Sequence, residues 1–341
     1  APFCSINSHN IQLKTGLRGY INTGMAKFWP TGACLLLCLA AQLLHTYAAR
    51  RLVDGLGFSG SALMIPYHIG VVQELTKAGV WVPGTTRVAG TSGGSYIATA
   101  VTSGTTAAQM RTACATLMQK IIASEKACVQ AGGSVQECSV ANGKMGAFTL
   151  DYLDTIIPRD PKKYKKTNNK AYTHITVLRG KLPQPEPIPD PLCSALPIKN
   201  LTIGVYSDRN DLIAACRASS FYSHVSHPNC STIYRGQHAT DGGYTVHLPC
   251  PPSSKHCLKI EALINDPDEL EKCKESGEFV PGGSSASDIY PGLGTAKQLP
   301  MTPCDWQLAS INATLQYTNF DKIIQQGSTD TLYWLRQNGW A

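Results

Sequence analysis

From Leu52 onward the chain alternates short apolar runs with stretches whose apolar residues recur at helical spacing. "LVDGLGFSGSALM" reads as a strand followed by a glycine-rich turn. "IPYHIGVVQELTKAG" reads as a helix, with Pro66 near its start, Ile69, Val72 and Leu75 on one face, and Gly79 as its stop. "TRVAG" is a short strand, and "GSYIATAVTSG" a second helix ended by Gly104. Ala107 to Ala131 is helix-compatible, "NLTIGVYS" resumes as a strand and "DLIAACRASS" as a helix. Strand–helix–strand–helix order predicts an α/β fold with a mainly parallel central sheet.

Two polar stretches interrupt this pattern. "PRDPKKYKKTNNK" is basic. "LPQPEPIPDP" places proline at 183, 185, 187, 189 and 191, so it is expected to be extended, not core. After Pro249 the chain is rich in Cys, Pro, Gly and Ser, with a helical-looking piece near Glu261 to Lys274. Residues 251–341 therefore read as a disulfide-braced C-terminal extension of a domain spanning residues 50–250.

The first fifty residues contain no Asp or Glu. Within them, residues 25–48 read as a secretory signal peptide: Lys27 is the basic start, Ala33 to Leu44 the apolar stretch, and Thr46-Tyr47-Ala48 the small residues at the cleavage position. A stretch of about a dozen residues is short for a membrane span. Residues before Met25 show no evident role. Of thirteen cysteines, Cys4, Cys34 and Cys38 fall in the part expected to be removed. The remaining ten suit a disulfide framework in an oxidising compartment. Three N-x-S/T sequons, at Asn200, Asn229 and Asn312, point the same way. The chain is thus expected to be secreted or lumenal.

The formal charge of +7 falls to about +4 once Lys14, Arg18 and Lys27 go with the leader. That is too mild for a nucleic-acid binder, and no basic–aromatic pattern suggests one. No CxxC occurs, which argues against structural zinc, and no GxxxxGK[ST] appears. Lys162, Lys163, Lys165 and Lys166 read as a solvated loop, since four lysines are few for a membrane surface. Trp306, Trp334 and Trp340 read as packing residues.

Three turns carry candidate chemistry. Gly90-Thr91-Ser92-Gly93-Gly94 matches G-x-S-x-G, the small-residue strand-to-helix turn that lifts a nucleophilic serine above a sheet. The helix that follows aims its N-terminal N–H groups at developing negative charge. Gly57 to Ala62, a small-residue turn whose Gly60 lies 32 residues before Ser92, could supply backbone N–H donors for an oxyanion. Asp241-Gly242-Gly243 offers an acid on a turn that lets backbone pass close by. Each alone is most often an ordinary turn; their order on alternating strands and helices is the informative feature.

That ordered set resembles the patatin-like phospholipases, serine lipid acyl hydrolases, over roughly residues 53 to 250. "FSGSALMIPYHIGVVQEL" is similar to the family's first block, "RVAGTSGGSYIATAV" to its nucleophile block, and "DLIAACRASSFYSHV…HATDGGYTVHLP" to its last, with Pro249 in place. The form of the first block is closer to the triglyceride-lipase branch than to plant storage patatins. The resemblance implies a Ser–Asp dyad: Ser92 as nucleophile, Asp241 as general base, and backbone donors at Gly60, Ser61 and Ala62. It implies lipid carboxylic esters (phospholipids, galactolipids or acylglycerols) as substrates, and no metal or organic cofactor. The chain departs from the family at Ser61 and Ala62, where glycines are usual, in having no Arg or Lys in the first block before His68, and at Ser223, where a proline is usual. Two other readings stay open. One is a Ser–His–Asp triad on an α/β-hydrolase fold, using His238, His247 or His256 with Asp208 or Asp211; against it, His247 and His256 read as loop or structural residues. The other is a non-catalytic lipid-binding or storage protein on the same fold.

Overall fold

The computed structural model describes residues 3–7, 10–14, 53–180, 195–264, 268, 273, 286–295 and 298–340. The chain divides into two compact units, residues 1–51 and 52–341. In the first, strands β1 (Phe3–Asn7) and β2 (Asn10–Lys14) pair antiparallel. The expected leader at 25–48 and the proline run at 183–191 lie outside the described residues.

The second unit is built on a seven-stranded sheet. Four strands are parallel, in the order β9 (Cys257–Ile260), β3 (Gly55–Phe58), β4 (Arg87–Thr91), β5 (Ala171–Leu178). Three are antiparallel: β6 (Ile198–Ile203), β7 (Thr232–Tyr234) and β8 (Gln237–Thr240). The mainly parallel α/β sheet expected from the alternation is present.

The register along β5 positions the site. On one edge β6 runs unbroken, from Thr173↔Ile203 to Leu178↔Ile198. The opposite edge is shared. β4 occupies it up to Thr91↔His174, and β8 approaches from the other direction as far as Thr176↔Thr240. Two strands of opposite sense thus stop head-on, with the ends at Thr91 and Thr240 separated along β5 only by Ile175.

The main helices among the described residues are α1 (Ile65–Lys77), α2 (Gly93–Ser103), α3 (Ala107–Gln130), α4 (Met145–Ile156), α5 (Arg209–Ser219), α6 (Pro303–Leu308), α7 (Ala313–Thr318) and α8 (Phe320–Gln337), with single turns at Val135–Cys138 and Pro161–Tyr164. Their boundaries follow local chemistry. Pro66 sits in the first turn of α1, Gly104 caps α2 at φ 89°, and Thr106 with Gln109 forms a capping box on α3. Every residue of α2 is buried, which suits a helix packed against the parallel strands. No helix among the described residues is long and apolar enough to cross a membrane.

The sequence pattern does not single out β5, because Thr173, His174 and Thr176 interrupt its apolar positions. These polar residues are buried and bonded from the side, although the His174 Nε2 has no partner among the described residues. Thr173 bonds the Tyr206 hydroxyl at 3.0 Å, Thr176 bonds Thr245 at 2.9 Å, and His174 bonds Asn200 at 3.2 Å. The residues after 250, which composition sets apart, enter the same core. β9 extends the sheet beside β3, and Trp306 is fully buried with its Nε1–H donating to the Ala262 carbonyl at 3.0 Å. Helix α8 crosses α1 at a pair of glycines: a Cβ on Gly70 would lie 2.1 Å from the Ile324 carbonyl oxygen, and one on Gly327 would lie 2.2 Å from that of Tyr67. The helical piece expected near Glu261 begins as coil, since Glu261 to Ile264 leave β9 without helical structure; most of the rest lies outside the described residues.

Disulfides join Cys128–Cys138, Cys250–Cys257 and Cys273–Cys304, and Cys230 is also disulfide-bonded. Cys114 and Cys216 are buried free thiols, so the ten cysteines do not all pair. Burial pushes their thiols up to about 12 and about 11, which makes them unreactive packing residues.

Candidate active site

Ser92 stands on the turn between β4 and α2 with φ 51° and ψ −128°, a backbone conformation that a non-glycine residue adopts only under constraint. The constraint is visible. Its N–H donates to Ser219 Oγ at 2.8 Å, and Ser219 in turn donates to the His174 carbonyl at 2.6 Å, tying the turn to α5 and β5. Gly94 must be glycine because a Cβ there would lie 2.3 Å from the Ser59 carbonyl oxygen, where the first turn passes over the second. Gly90 is crowded in the same way by Gly94.

Asp241 follows β8 directly, so the head-on arrangement of β4 and β8 brings it to Ser92. Its N–H donates to the Phe221 carbonyl at 2.8 Å, and the Thr91 hydroxyl donates to the Val246 carbonyl at 2.7 Å, clamping the loop over the strand ends. A Cβ on Gly242 would lie 2.1 Å from the His174 carbonyl oxygen, which explains the first glycine of D-G-G. Gly243 earns its place through its N–H, which donates to Asp241 Oδ1 at 2.7 Å. Burial raises the Asp241 carboxyl to about 6, against the opposing pull of the Ser92 hydroxyl, the Gly243 hydrogen bond and the His247 charge.

The first turn lies across from this pair. The Gly60 N–H donates to the His247 carbonyl at 3.4 Å, whereas those of Ser61 and Ala62 have no acceptor among the described residues. Ala62 has φ 44°, the left-handed conformation a glycine would favour. The Ser61 hydroxyl is buried without a partner and lines the cavity. Beneath the turn, buried His68 is held neutral: burial lowers it to about 4, and its Nε2 lies 3.3 Å from the Ser59 carbonyl.

Ser92, Asp241, Gly60, Ser61 and Ala62 all open on one cavity of about 590 Å³. Its wall is otherwise largely apolar, with Leu63, Ile65, Leu117, Met145, Leu263 and Ile311. Tyr96 anchors one side, its hydroxyl bonded to Ser220.

The model of the patatin-like phospholipase family matches residues 57–250. The chain belongs to that family. Membership implies lipid acyl hydrolase activity. Comparison with curated proteins found no match.

In this patatin-like chain the other candidates are dispersed. Asp208 caps α5 by accepting from Asp211 N at 2.9 Å, and Asp211 pairs with Arg235. His238 bonds Ser231 at 3.0 Å, and His256 sits on the turn into β9, its N–H donating to Asp54 at 3.0 Å. None of the four lines the cavity. Lys162, Lys163, Lys165 and Lys166 are exposed on short helical turns, and Trp306 and Trp334 are core. Asn229 is buried, a poor position for a glycan.

His247 lies on the loop after D-G-G. Read as a loop or structural residue, it lines the cavity, and its Nε2 lies 2.8 Å from Glu261 Oε2. Glu261 is fully buried just past β9, accepting also from Ser59 Oγ at 2.7 Å and from the N–H groups of Ala262 and Leu263 at 3.0 Å. The only sequence signal for this partner is a lone acid in the apolar run "CLKIEALI".

Proposed function

We propose that the protein hydrolyses carboxylic esters of lipids through a Ser92–Asp241 dyad. The observation that carries this reading is the meeting of Ser92 and the buried Asp241 carboxylate at one largely apolar cavity, set there by the head-on stop of β4 and β8. Asp241 takes the hydroxyl proton as Ser92 Oγ bonds to the carbonyl carbon. The backbone N–H groups of Ser61 and Ala62 receive the oxyanion, with the positive end of α2 beside them. The carbon–oxygen bond of the leaving alcohol then breaks, and Asp241 returns the proton to it. Water repeats the sequence on the acyl-serine and releases the fatty acid. The apolar wall accommodates the acyl chain. The disulfides suit a secreted or lumenal setting.

Incubation with a mixed-lipid extract, with released fatty acids identified, tests the reading. The wild-type chain is expected to release fatty acid and to be labelled by a fluorophosphonate probe, and Ser92→Ala to do neither. Asp241→Asn is expected to lose ester hydrolysis by roughly 1,000-fold or more. A folded wild-type chain that is neither labelled nor active would instead be a lipid binder.

A further inference from the structure

We propose that His247 is a third catalytic residue: an imidazolium braced by Glu261, whose Nδ1–H hydrogen-bonds the substrate's carbonyl oxygen as it becomes an oxyanion. The proposal rests on the Ser92–Asp241 reading and adds a group that the dyad does not contain.

The geometry comes first. Glu261 occupies Nε2 of the ring at 2.8 Å, which turns Nδ1 to the cavity. A Cβ built on Gly60 would lie 3.8 Å from that Nδ1 and 3.5 Å from Ser92 Cβ. The space over Gly60, where an ester carbonyl must sit to be attacked by Ser92, is therefore walled by the serine on one side and the imidazole on the other. A Cβ on Gly243 would lie 3.9 Å from the same nitrogen.

Charge gives the reason. Among the described residues, the cavity wall holds one acidic side chain, Asp241, and one basic side chain, His247, with neither Lys nor Arg. When Ser92 attacks, its proton neutralises Asp241 and a negative charge appears on the carbonyl oxygen. Without a cation, that charge would stand near the buried Glu261 carboxylate, which lies behind His247. The imidazolium offsets it while keeping its own proton throughout, so no further transfer is needed.

Three titratable groups face the ring: Glu261 after β9, Asp241 after β8, and His68 from α1. Burial lowers His247, but the Glu261 charge and hydrogen bond and the Asp241 charge outweigh it, and the net direction is up. His68 is neutral and adds no repulsion at working pH.

The test pairs two variants. His247→Gln can keep the contact to Glu261 but has no donor at the Nδ1 position. His247→Asn keeps a neutral donor near Nδ1 and gives up Glu261. Hydrolysis of a soluble short-chain nitrophenyl ester is measured from pH 5 to 9, with melting temperatures as the check on folding and His256→Ala as the control. His247→Gln is expected to lose roughly 100-fold in kcat with little change in KM, and His247→Asn roughly 10-fold. Wild-type kcat is expected to fall as pH rises through the His247 titration, and both variants to lose that fall. Glu261→Gln is expected to move the fall to lower pH. His247→Gln at wild-type kcat would show that the residue is structural and overturn the proposal. So would wild-type activity that rises through the His247 titration, the mark of a neutral imidazole acting as base. Undiminished hydrolysis by Ser92→Ala would overturn the dyad reading itself, and this proposal with it.

Discussion

At the scale of single residues, the site is held in conformations the chain would not choose unaided. Ser92 has a positive φ and is kept there by Ser219 and by the packing of Gly90 on Gly94. Ala62 also has a positive φ, and the residue is exposed, so its methyl group contributes little packing. Ala62→Gly is therefore expected to relieve about 1–2 kcal/mol of backbone strain against about 0.5–1 kcal/mol of added unfolded-state entropy. A net gain of about 0.5–1 kcal/mol in chemical denaturation is the expected outcome; a loss would show that Ala62 is not strained. If the proposed dyad operates, Asp241 sets the acid limb of activity. A base must be ionised, and burial raises this carboxyl to about 6, so kcat is expected to rise with pH through that value. Removing the His247 charge, which lowers Asp241, should move this limb upward in the His247 variants. The turns that hold Ser92, Gly60 and Asp241 are legible in sequence because each is short and distinctively spaced, although the Gly60 N–H, expected to serve an oxyanion, instead donates to the His247 carbonyl. Ser219, Glu261 and the role of His247 are not, because each acquires its meaning from a partner that folding brings near.

Among elements, the pairing of α1 with α8 shows what the local pattern cannot show. The alternation of apolar residues marks α1 as a helix and its Pro66 and Gly79 as ends, but nothing local says that Gly70 meets Gly327. The two glycines let backbones touch, Gly70 against Ile324 and Gly327 against Tyr67. Gly327→Ala must push α8 away or distort it. A loss of about 2–3 kcal/mol is expected from overpacking, read as a lower denaturation midpoint with unchanged slope. A neutral effect would mean the crossing is looser than the structure has it. β5 escaped the pattern for a related reason: its buried threonines look polar in sequence and are satisfied only by Tyr206 and Thr245 once the sheet is assembled.

For the whole molecule, the family match ends at residue 250 while the core does not. β9, Trp306 and α8 cover surfaces that residues 52–250 would leave bare, and the buried acid beside His247 comes from this part. A fragment of residues 52–250 is accordingly expected not to fold, with lost near-ultraviolet circular dichroism and no fluorophosphonate labelling; a folded, labelled fragment would contradict the packing described. The Cys250–Cys257 bridge ties the end of the D-G-G block to the strand beside β3. Cys250→Ser with Cys257→Ser is expected to cost about 2–3 kcal/mol, the loop-closure entropy of so short a ring. Composition alone separates residues 251–341, because Cys, Pro and Gly mark loops but do not reveal which strand the loops lead to. The head-on stop of β4 and β8 against β5 carries one more consequence. The serine is synthesised about 150 residues ahead of its aspartate, on a strand of opposite sense. A slip of β8 by one residue would carry Asp241 about 3.3 Å from Ser92. On the proposed dyad, the nascent chain and any misassembled one are therefore chemically silent: the protein is armed only by completing its own sheet.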